Sequence, residues 1–121
     1  MSILSDCIFC KIIAGEIPSS CVYEDESVFA FRDVAPQAPV HILIVPKEHS
    51  AASVADLSPT NSHQAAKCLE VAARIAVDLG LDNGFRIITN SGRDGGQTVF
   101  HLHFHLLGGG PLGPMIQNAC E

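Results

Sequence analysis

The sequence predicts an α+β fold: an antiparallel sheet with one long helix and a short N-terminal helix. Two observations carry this prediction. Segments with helical and with strand periodicity follow one another in the order α, β, β, β, α, β, β, and the connections between them are short. Hydrophobic residues make up 47% of the chain and charged residues 17%, which is too apolar for a disordered protein.

The first half of the chain predicts a short helix and three strands. Apolar residues recur at helical spacing before Gly15 and Pro18: these are Ile8, Phe9, Ile12 and Ile13. Apolar runs at 22–23 and 28–31 predict a hairpin, because an acidic turn separates them. A loop with two prolines then leads into a strand at 40–45, and Pro46 ends it.

The second half predicts the long helix and two further strands. Ser58 and Pro59 form a helix start, and Gly80 provides the end. The expected buried stripe consists of Ala65, Cys68, Leu69, Ala72, Ile75, Ala76 and Leu79. A strand at 85–89, a glycine-rich loop at 90–97 and a last strand at 98–107 complete the pattern.

Length and composition exclude several classes of protein. With 121 residues, the chain has the size of one domain, which we expect to span 1–121 with a core at 6–110 and a tail at 111–121. No apolar run is long enough for a membrane span, and the N-terminus lacks a signal-type core. A net charge of -6 disfavours nucleic acid as a partner. Five scattered cysteines favour a reducing, cytoplasmic location.

The densest chemical signal is a run of histidines in the last predicted strand. His101, His103 and His105 alternate with apolar residues, so their rings are expected on one face of the sheet. The alternate residues are expected in the core: Phe100, Leu102, Phe104 and Leu106. Neighbouring rings disfavour each other's protonation, which predicts a neutral, nucleophilic imidazole near neutral pH. Two other interpretations of the histidine run stay open. The three rings could together bind a transition metal, or the run could be a half-exposed strand without a function.

His-x-His-x-His followed by two apolar residues resembles the signature of the histidine triad family of nucleotide hydrolases and transferases. Other segments resemble the Hint branch of that family, in order, over nearly all of residues 6–110. They are Ile8–Ile13, Glu16–Pro18, Asp33 with the Pro-Gln-Ala-Pro loop, Ile44–Lys47 with His49, Asp78–Leu81 and Asp94–Gln97. The resemblance implies a homodimer with a HIT-like fold. It also implies a purine nucleoside monophosphate or its phosphoramidate as ligand, and hydrolysis at the α-phosphorus.

The resemblance also implies catalytic roles. His103 is expected to be the nucleophile that forms a nucleotidyl-histidine intermediate, and a neutral imidazole can do this without a metal. His105 is expected to contact the α-phosphate and to help protonate the departing amine. The loop residues expected at the phosphate are Asn90, Gly96, Gln97 and Thr98. An ordinary flexible connection is the alternative for this loop.

Asp33 is expected to bind the ribose hydroxyls, and a solvated turn carboxylate is its alternative. The apolar residues that the resemblance places at the base are Ile8, Phe9, Ile12, Ile17 and Phe31, with Val34 beside the ribose. Plain core packing requires the same residue types, so that interpretation stays open for each of them.

Cys7 and Cys10 stand three residues apart at the start of the first helix, so their thiols face the same way. With His49 and His101 they match the Cys2His2 set through which some relatives bind zinc. A zinc ion with four protein ligands has no open position for a substrate, so it would be structural. The catalytic chemistry itself would then need no cofactor. Two reduced, packed cysteines are the alternative. His41 and His63 receive no role.

Two other functions remain open at this point. One is hydrolysis of dinucleoside polyphosphates, the activity of the neighbouring Fhit branch. The other is a non-catalytic module that binds nucleotide or zinc. The chain also departs from many relatives in its tail, where Leu112-Gly113-Pro114-Met115 stands in place of a Trp-Pro segment.

Overall fold

The chain forms a five-stranded antiparallel sheet with a helix on each face. The computed structural model describes residues 6–116. In chain order the elements are α1 (Ile8–Ile13), β1 (Cys21–Glu24), β2 (Val28–Arg32), β3 (Val40–Pro46), a 3-10 turn (Val54–Asp56), α2 (Ser62–Asp78), β4 (Phe85–Ile88) and β5 (Phe104–Gly108). The spatial strand order is β1-β2-β3-β5-β4. The predicted α+β class and element order are confirmed, with the 3-10 turn as an addition.

The two faces of the sheet bury different side chains, because successive residues of a strand point to opposite faces. The face covered by α2 buries Val28, Ala30, Ile42, Ile44, Leu102, Phe104 and Leu106. The face covered by α1 buries Phe29, Phe31, Leu43 and Val45 against Cys7, Phe9, Cys10 and Ile12. The sheet therefore separates a large apolar core from a second cluster that contains the two neighbouring cysteines.

Helix α2 begins at Ser62, later than the start predicted at Ser58 and Pro59. The carbonyl of Ser58 accepts hydrogen bonds from the amides of Asn61 and Ser62, and the Asn61 side chain accepts one from the amide of Ser58. These bonds close a separate turn before the helix. The predicted end is confirmed, since Gly80 adopts a φ of +69°, which favours glycine. No helix among residues 6–116 is long and apolar enough to cross a membrane.

The predicted apolar stripe of α2 is partly wrong. Leu69 and Leu79 are 43% and 38% exposed, whereas Val71 is buried in the large core. The buried Gln64 is a polar member of this face, and it is tied by hydrogen bonds to Ser50 and Glu48. The sheet thus contacts a face rotated slightly from the one that hydrophobicity alone selects.

The last strand is shorter than the predicted 98–107, because it begins at Phe104. Pairing between β3 and β5 ends with Ile44 and Phe104, and beyond it the backbone of the histidine segment bonds elsewhere. The amide of Leu102 donates to the Ala51 carbonyl. Leu102, Phe104 and Leu106 are buried as predicted, but Phe100 is 56% exposed, so its predicted place in the core is wrong. Residues 117–121, with Cys120 and the end of the predicted tail, lie outside the described residues.

Candidate active site

The three histidines of the run lie together on the α1 side of the sheet, as their alternation predicts. His101 and His103 are buried and His105 is half-buried. The rings of His103 and His105 are 5.1 Å apart, and the ring of Phe9 meets His103 edge-on at 4.9 Å. Residues from β5, from the segment before it and from α1 therefore share one site.

His103 presents an unprotonated ring nitrogen. Its Nδ1 lies 2.7 Å from the carbonyl oxygen of His101. A carbonyl can only accept, so Nδ1 carries the proton and the neutral ring keeps the lone pair on Nε2. Burial lowers the pKa of His103, and the His101 carbonyl and the Asp33 charge only partly oppose this. The arrangement supplies a neutral nitrogen nucleophile.

His41, to which the sequence analysis assigned no role, belongs to this site. It is buried, and its Nε2 lies 2.9 Å from Nδ1 of His105. Its Nδ1 accepts a hydrogen bond from the amide of Gln37 at 3.0 Å, so the proton of the neutral ring is on Nε2. The missed signal is a histidine in an otherwise apolar strand; antiparallel pairing places it opposite Leu107, next to the histidine run.

This bond fixes the orientation of the His105 proton. Because His41 Nε2 donates to His105 Nδ1, the neutral His105 ring carries its own proton on Nε2. Burial lowers the pKa of His105 to about 4, the positive charges that His103 and His41 would carry act in the same direction, and Asp33 opposes them. His105 therefore offers an N–H donor beside the lone pair of His103.

Asp33 lies at the end of β2, next to His41. Its Oδ2 is 3.4 Å from His41 Nε2, and its Oδ1 accepts a hydrogen bond from the Ala35 amide at 2.8 Å. The side chain is 18% exposed, so the carboxylate has open lone pairs at the rim of the site. Val34, predicted beside the ribose, is 98% exposed on the neighbouring surface.

The four predicted metal ligands form a second cluster. The thiols of Cys7 and Cys10 and one nitrogen each from His49 and His101 all lie within 4.8 Å of one another. Nδ1 of His101 is 3.4 Å and 3.6 Å from the sulfurs of Cys7 and Cys10. Nδ1 of His49 is 3.3 Å from the sulfur of Cys10. The structure brings together all four residues that the sequence analysis named.

Both histidines of this cluster are oriented as metal ligands require. Nε2 of His101 donates to the Pro46 carbonyl at 2.8 Å, and Nε2 of His49 donates to the Phe100 carbonyl at 2.9 Å. Each ring therefore turns an unprotonated Nδ1 towards the two thiols. Burial lowers the pKa of His101 to about 4, which keeps that ring neutral. Two thiols and two neutral imidazoles form the donor set that Zn²⁺ prefers.

Asp33, His41 and His105 also lie close enough to hold an ion, but the histidine tautomers disfavour one there. The amide of Gln37 already donates to His41 Nδ1. A metal on Nε2 would leave the neutral ring with its proton on Nδ1, facing that N–H group. The three side chains instead form a hydrogen-bonded His41–His105 pair with the Asp33 carboxylate 3.4 Å from Nε2 of His41.

Gln97 holds the glycine-rich loop together. Its buried side chain accepts from the Gly92 amide at 2.9 Å and donates to the carbonyls of Ala52 at 2.6 Å and Val99 at 3.0 Å. Its own amide donates to the Gly92 carbonyl. All its N–H groups are thus used inside the protein, so Gln97 supports the loop and has no donor left for a phosphate.

The other loop residues differ in whether their backbone amides can still donate a hydrogen bond to an anion. The amide of Gly96 donates to Arg93. Among residues 6–116, the amide of Thr98 has no acceptor, so it remains available to an anion. Gly95 has no room for a side chain, because a Cβ there would lie 2.7 Å from the Ser91 carbonyl oxygen.

Asn90 and Thr98 are not in the same cavity. Asn90 lines a cavity of about 400 Å³ with His41 and His105, which the tail bounds on one side. Thr98 lines a smaller cavity, of about 330 Å³, with Cys7 and His49 at the mouth of the cysteine-histidine cluster. The structure therefore places one predicted phosphate contact beside His105 and the other nearer to the second cluster.

The residues predicted at the base divide between core and surface. Phe9, Ile12 and Phe31 are buried in the second cluster of the core, and Ile17 packs against it. Ile8 is 45% exposed. Only Phe9 is in ring contact with His103. Thr89, which sequence reasoning missed, donates its hydroxyl to the His103 carbonyl at 2.7 Å and thereby fixes the backbone of the nucleophile.

Comparison with known proteins agrees with this geometry. The HIT domain family model matches residues 14–112. The chain is 51% identical over 110 residues to the purine nucleoside phosphoramidase of Escherichia coli K12, covering 90% of this chain and 92% of that protein. A HIT family hydrolase from Clostridium thermocellum superposes with a TM-score of 0.90 at 50% identity, covering 94% and 99% of the two chains.

A histidine triad protein from Clostridium difficile also gives a TM-score of 0.90, at 48% identity, covering 96% of this chain and 100% of that one. The family match spans most of the chain, and it includes the histidine run from which the site is built. The chain therefore belongs to the HIT domain family.

Proposed function

We propose that this protein hydrolyses purine nucleoside 5′-phosphoramidates, or related acyl phosphates, to the nucleoside monophosphate. The observation that carries the proposal is the lone pair on Nε2 of buried His103, next to the N–H donor of His105. The similarity to a purine nucleoside phosphoramidase supports the choice of substrate. The nucleophile and the acid stand two residues apart in the chain: His103 lies directly before β5 and His105 lies in it.

The reaction proceeds in two displacements. Nε2 of His103 attacks the α-phosphorus, the phosphorus–nitrogen bond of the substrate breaks, and the amine leaves with a proton that reaches it from solvent by way of the His105 N–H group. Water then attacks the phosphorus, the bond to His103 breaks, and the nucleoside monophosphate is released. The proton released from that water returns to solvent, so the site is restored.

The nucleotide is held by the groups around this centre. Asp33 accepts hydrogen bonds from the ribose hydroxyls through its open lone pairs. The Asn90 side chain contacts the phosphate oxygens from the cavity beside His105. The Thr98 amide, which lines the neighbouring cavity, is the further donor that the loop offers to the phosphate, while Gly96 and Gln97 shape the loop. The side towards the base is formed by Phe9, Ile12, Ile17 and Phe31, with the exposed Ile8 at the rim, and Val34 lies beside the ribose.

In this proposal a structural zinc ion is bound by four side chains: Cys7, Cys10, His49 and His101. Support comes from the donor set and from the carbonyls that turn both Nδ1 atoms inward. The ion would supply no chemistry to the reaction. Its ligands instead attach helix α1 to the segment that carries His103, because His101 is both a ligand and the acceptor for His103 Nδ1.

The active protein is proposed to be a homodimer in the cytoplasm. Strand β4 is an edge of the sheet, so its outer backbone groups and its Phe85 side chain, which is 43% exposed, face outward. A second copy paired along this edge would cover them. A reducing compartment suits the four free cysteines of residues 6–116. Sedimentation at twice the chain mass is the expected result, and an active monomer would contradict it.

Acid quench of the reaction with adenosine 5′-phosphoramidate, followed by peptide mass spectrometry, tests the mechanism. The adduct is expected on His103, and His103→Ala should remove both adduct and AMP release. His63→Ala, at an exposed position on α2, is the matched control and should leave both unchanged. An adduct on another residue would refute the mechanism. Faster hydrolysis of a diadenosine polyphosphate, or nucleotide binding without hydrolysis, would favour one of the two alternative functions.

A further inference from the structure

Arg86 lies on the same face of the sheet as His105. Strand β4 pairs Arg86 with Leu107 and Ile88 with His105. Ile87, between them, packs against the core on the α2 side, so Arg86 and Ile88 point to the opposite face. The half-buried Arg86 side chain is therefore two register positions from the pair that contains His105, which is the next position on that face of the sheet.

The guanidinium group of Arg86 holds the tail that follows β5. Nη2 of Arg86 donates to the Gly113 carbonyl at 2.9 Å, and Nη1 donates to the Pro114 carbonyl at 3.4 Å. Gly113 adopts a φ of +81°, which turns the chain at this point. Among residues 6–116, these two are the hydrogen bonds made by segment 112–116.

That segment forms one wall of the cavity beside His105. Leu112, Pro114 and Met115 line it on the tail side, while His41, His105, Ile88 and Leu107 line it on the sheet side. Met115 is 84% exposed, so packing alone holds the wall weakly. The position of an apolar wall thus depends on two bonds from one side chain.

We propose that Arg86 is a positioning residue that sets leaving-group selectivity, by fixing the segment 112–116 (the tail wall) across the cavity from His105. This inference rests on the proposed function, because it takes the cavity beside the His105 donor as the place of the departing amine. An amine with an apolar substituent contacts the tail wall, whereas ammonia is too small to reach it. Loss of the anchor therefore affects the first substrate and spares the second.

The consequence is a change in the ratio of two rates. Removal of an apolar contact in a binding pocket typically costs about tenfold or more in discrimination. Arg86→Gln should therefore lower kcat/KM for the tryptamine phosphoramidate of AMP by about tenfold. It should do so mainly through KM and leave unsubstituted adenosine 5′-phosphoramidate nearly unchanged. Arg86→Lys keeps a cation but lacks the two-pronged donor, so it should lie between.

The experiment measures both substrates with the full chain of the parent and of three variants. Arg74→Gln is the charge-matched control, because Arg74 is exposed on α2 over the other face of the sheet. NMR order parameters of the Gly113 and Met115 amides provide a readout that needs no substrate. In Arg86→Gln these should fall below about 0.6, while the amides of the strands stay near 0.85.

The outcomes separate this inference from the proposed function. Equal losses on both substrates, or tail order parameters unchanged in Arg86→Gln, would overturn the role of Arg86. If the parent hydrolyses neither phosphoramidate, the proposed function fails; unchanged order parameters then also overturn the anchor, and lowered ones support it. If Arg86→Gln does not fold, the same comparisons made with Arg86→Lys decide.

Discussion

Replacing Gln97 by alanine tests whether one buried amide holds the glycine-rich loop in place. The substitution removes three hydrogen bonds, to Gly92, Ala52 and Val99. At about 1 kcal/mol for each net hydrogen bond, the free energy of unfolding should fall by about 3 kcal/mol. That is a large part of the 5 to 15 kcal/mol that stabilises a typical domain, roughly speaking. The nearly isosteric Gln97→Glu should lose as much, since a carboxylate cannot donate to two carbonyls.

Urea unfolding followed by circular dichroism is the suitable assay, because the chain has no Trp and only one Tyr. Gln37→Ala is the matched control: the exposed Gln37 side chain makes one hydrogen bond, at 3.2 Å, to the Ala35 carbonyl. It should change the free energy of unfolding by less than about 0.5 kcal/mol. A loss below about 1 kcal/mol for both Gln97 variants would refute the argument that this side chain supports the loop.

Three further predictions follow from single contacts. Thr89→Val removes the bond to the His103 carbonyl, so stability should fall by about 1 kcal/mol in thermal unfolding, with a loss in kcat larger than any change in KM. The His105 ring should titrate in NMR near a pKa of about 4 and lower still in Asp33→Asn, because the Asp33 charge raises this pKa. Cys10→Ser should reduce bound zinc and the melting temperature, measured by elemental analysis and calorimetry.

Each of these has its contrary result. A Thr89→Val protein with an unchanged kcat would mean that its hydroxyl does not position the nucleophile. A higher pKa of His105 in Asp33→Asn would reverse the assigned sign. Since the folded pKa lies below the ordinary 6.5, His105 contributes stability that is lost as pH falls from about 6.5 to about 4. Parent protein purified without chelators and containing no zinc would contradict the metal site.

Periodicity was sufficient for the element order and for most of the buried strand residues, because alternation of side chains is a local property. The start of α2 was not predictable in this way, since it depends on the turn closed by Asn61 and Ser58. The short last strand depends on where its neighbours stop pairing. The turn is local, but the sequence does not distinguish a separate turn at 58–61 from the first turn of a helix. The pairing of β5 joins residues that are far apart in the chain, and only folding brings them together.

The candidate site divides in the same manner. The histidine run and the four cysteine-histidine ligands carry a signal in their spacing, so both clusters were named from the sequence. His41 belongs to no such spacing pattern: its only signal is that it is a single polar residue in an apolar strand, and its importance comes from its contact with His105 across the sheet. Arg86 was also missed, because it acts on a tail that is 27 residues away in sequence.

The protons on four of these rings are placed by main-chain groups. The partners are the carbonyls of Pro46, Phe100 and His101 and the amide of Gln37. A scan that changes only side chains would leave every one of these partners present, and would record them as silent positions. Exchanging the Gln37 amide for an ester, or introducing proline there, deletes the N–H group itself. Which nitrogen of each ring carries the proton thus depends on the path of the backbone. Side-chain substitutions around the site that keep this path should leave the four tautomers unchanged.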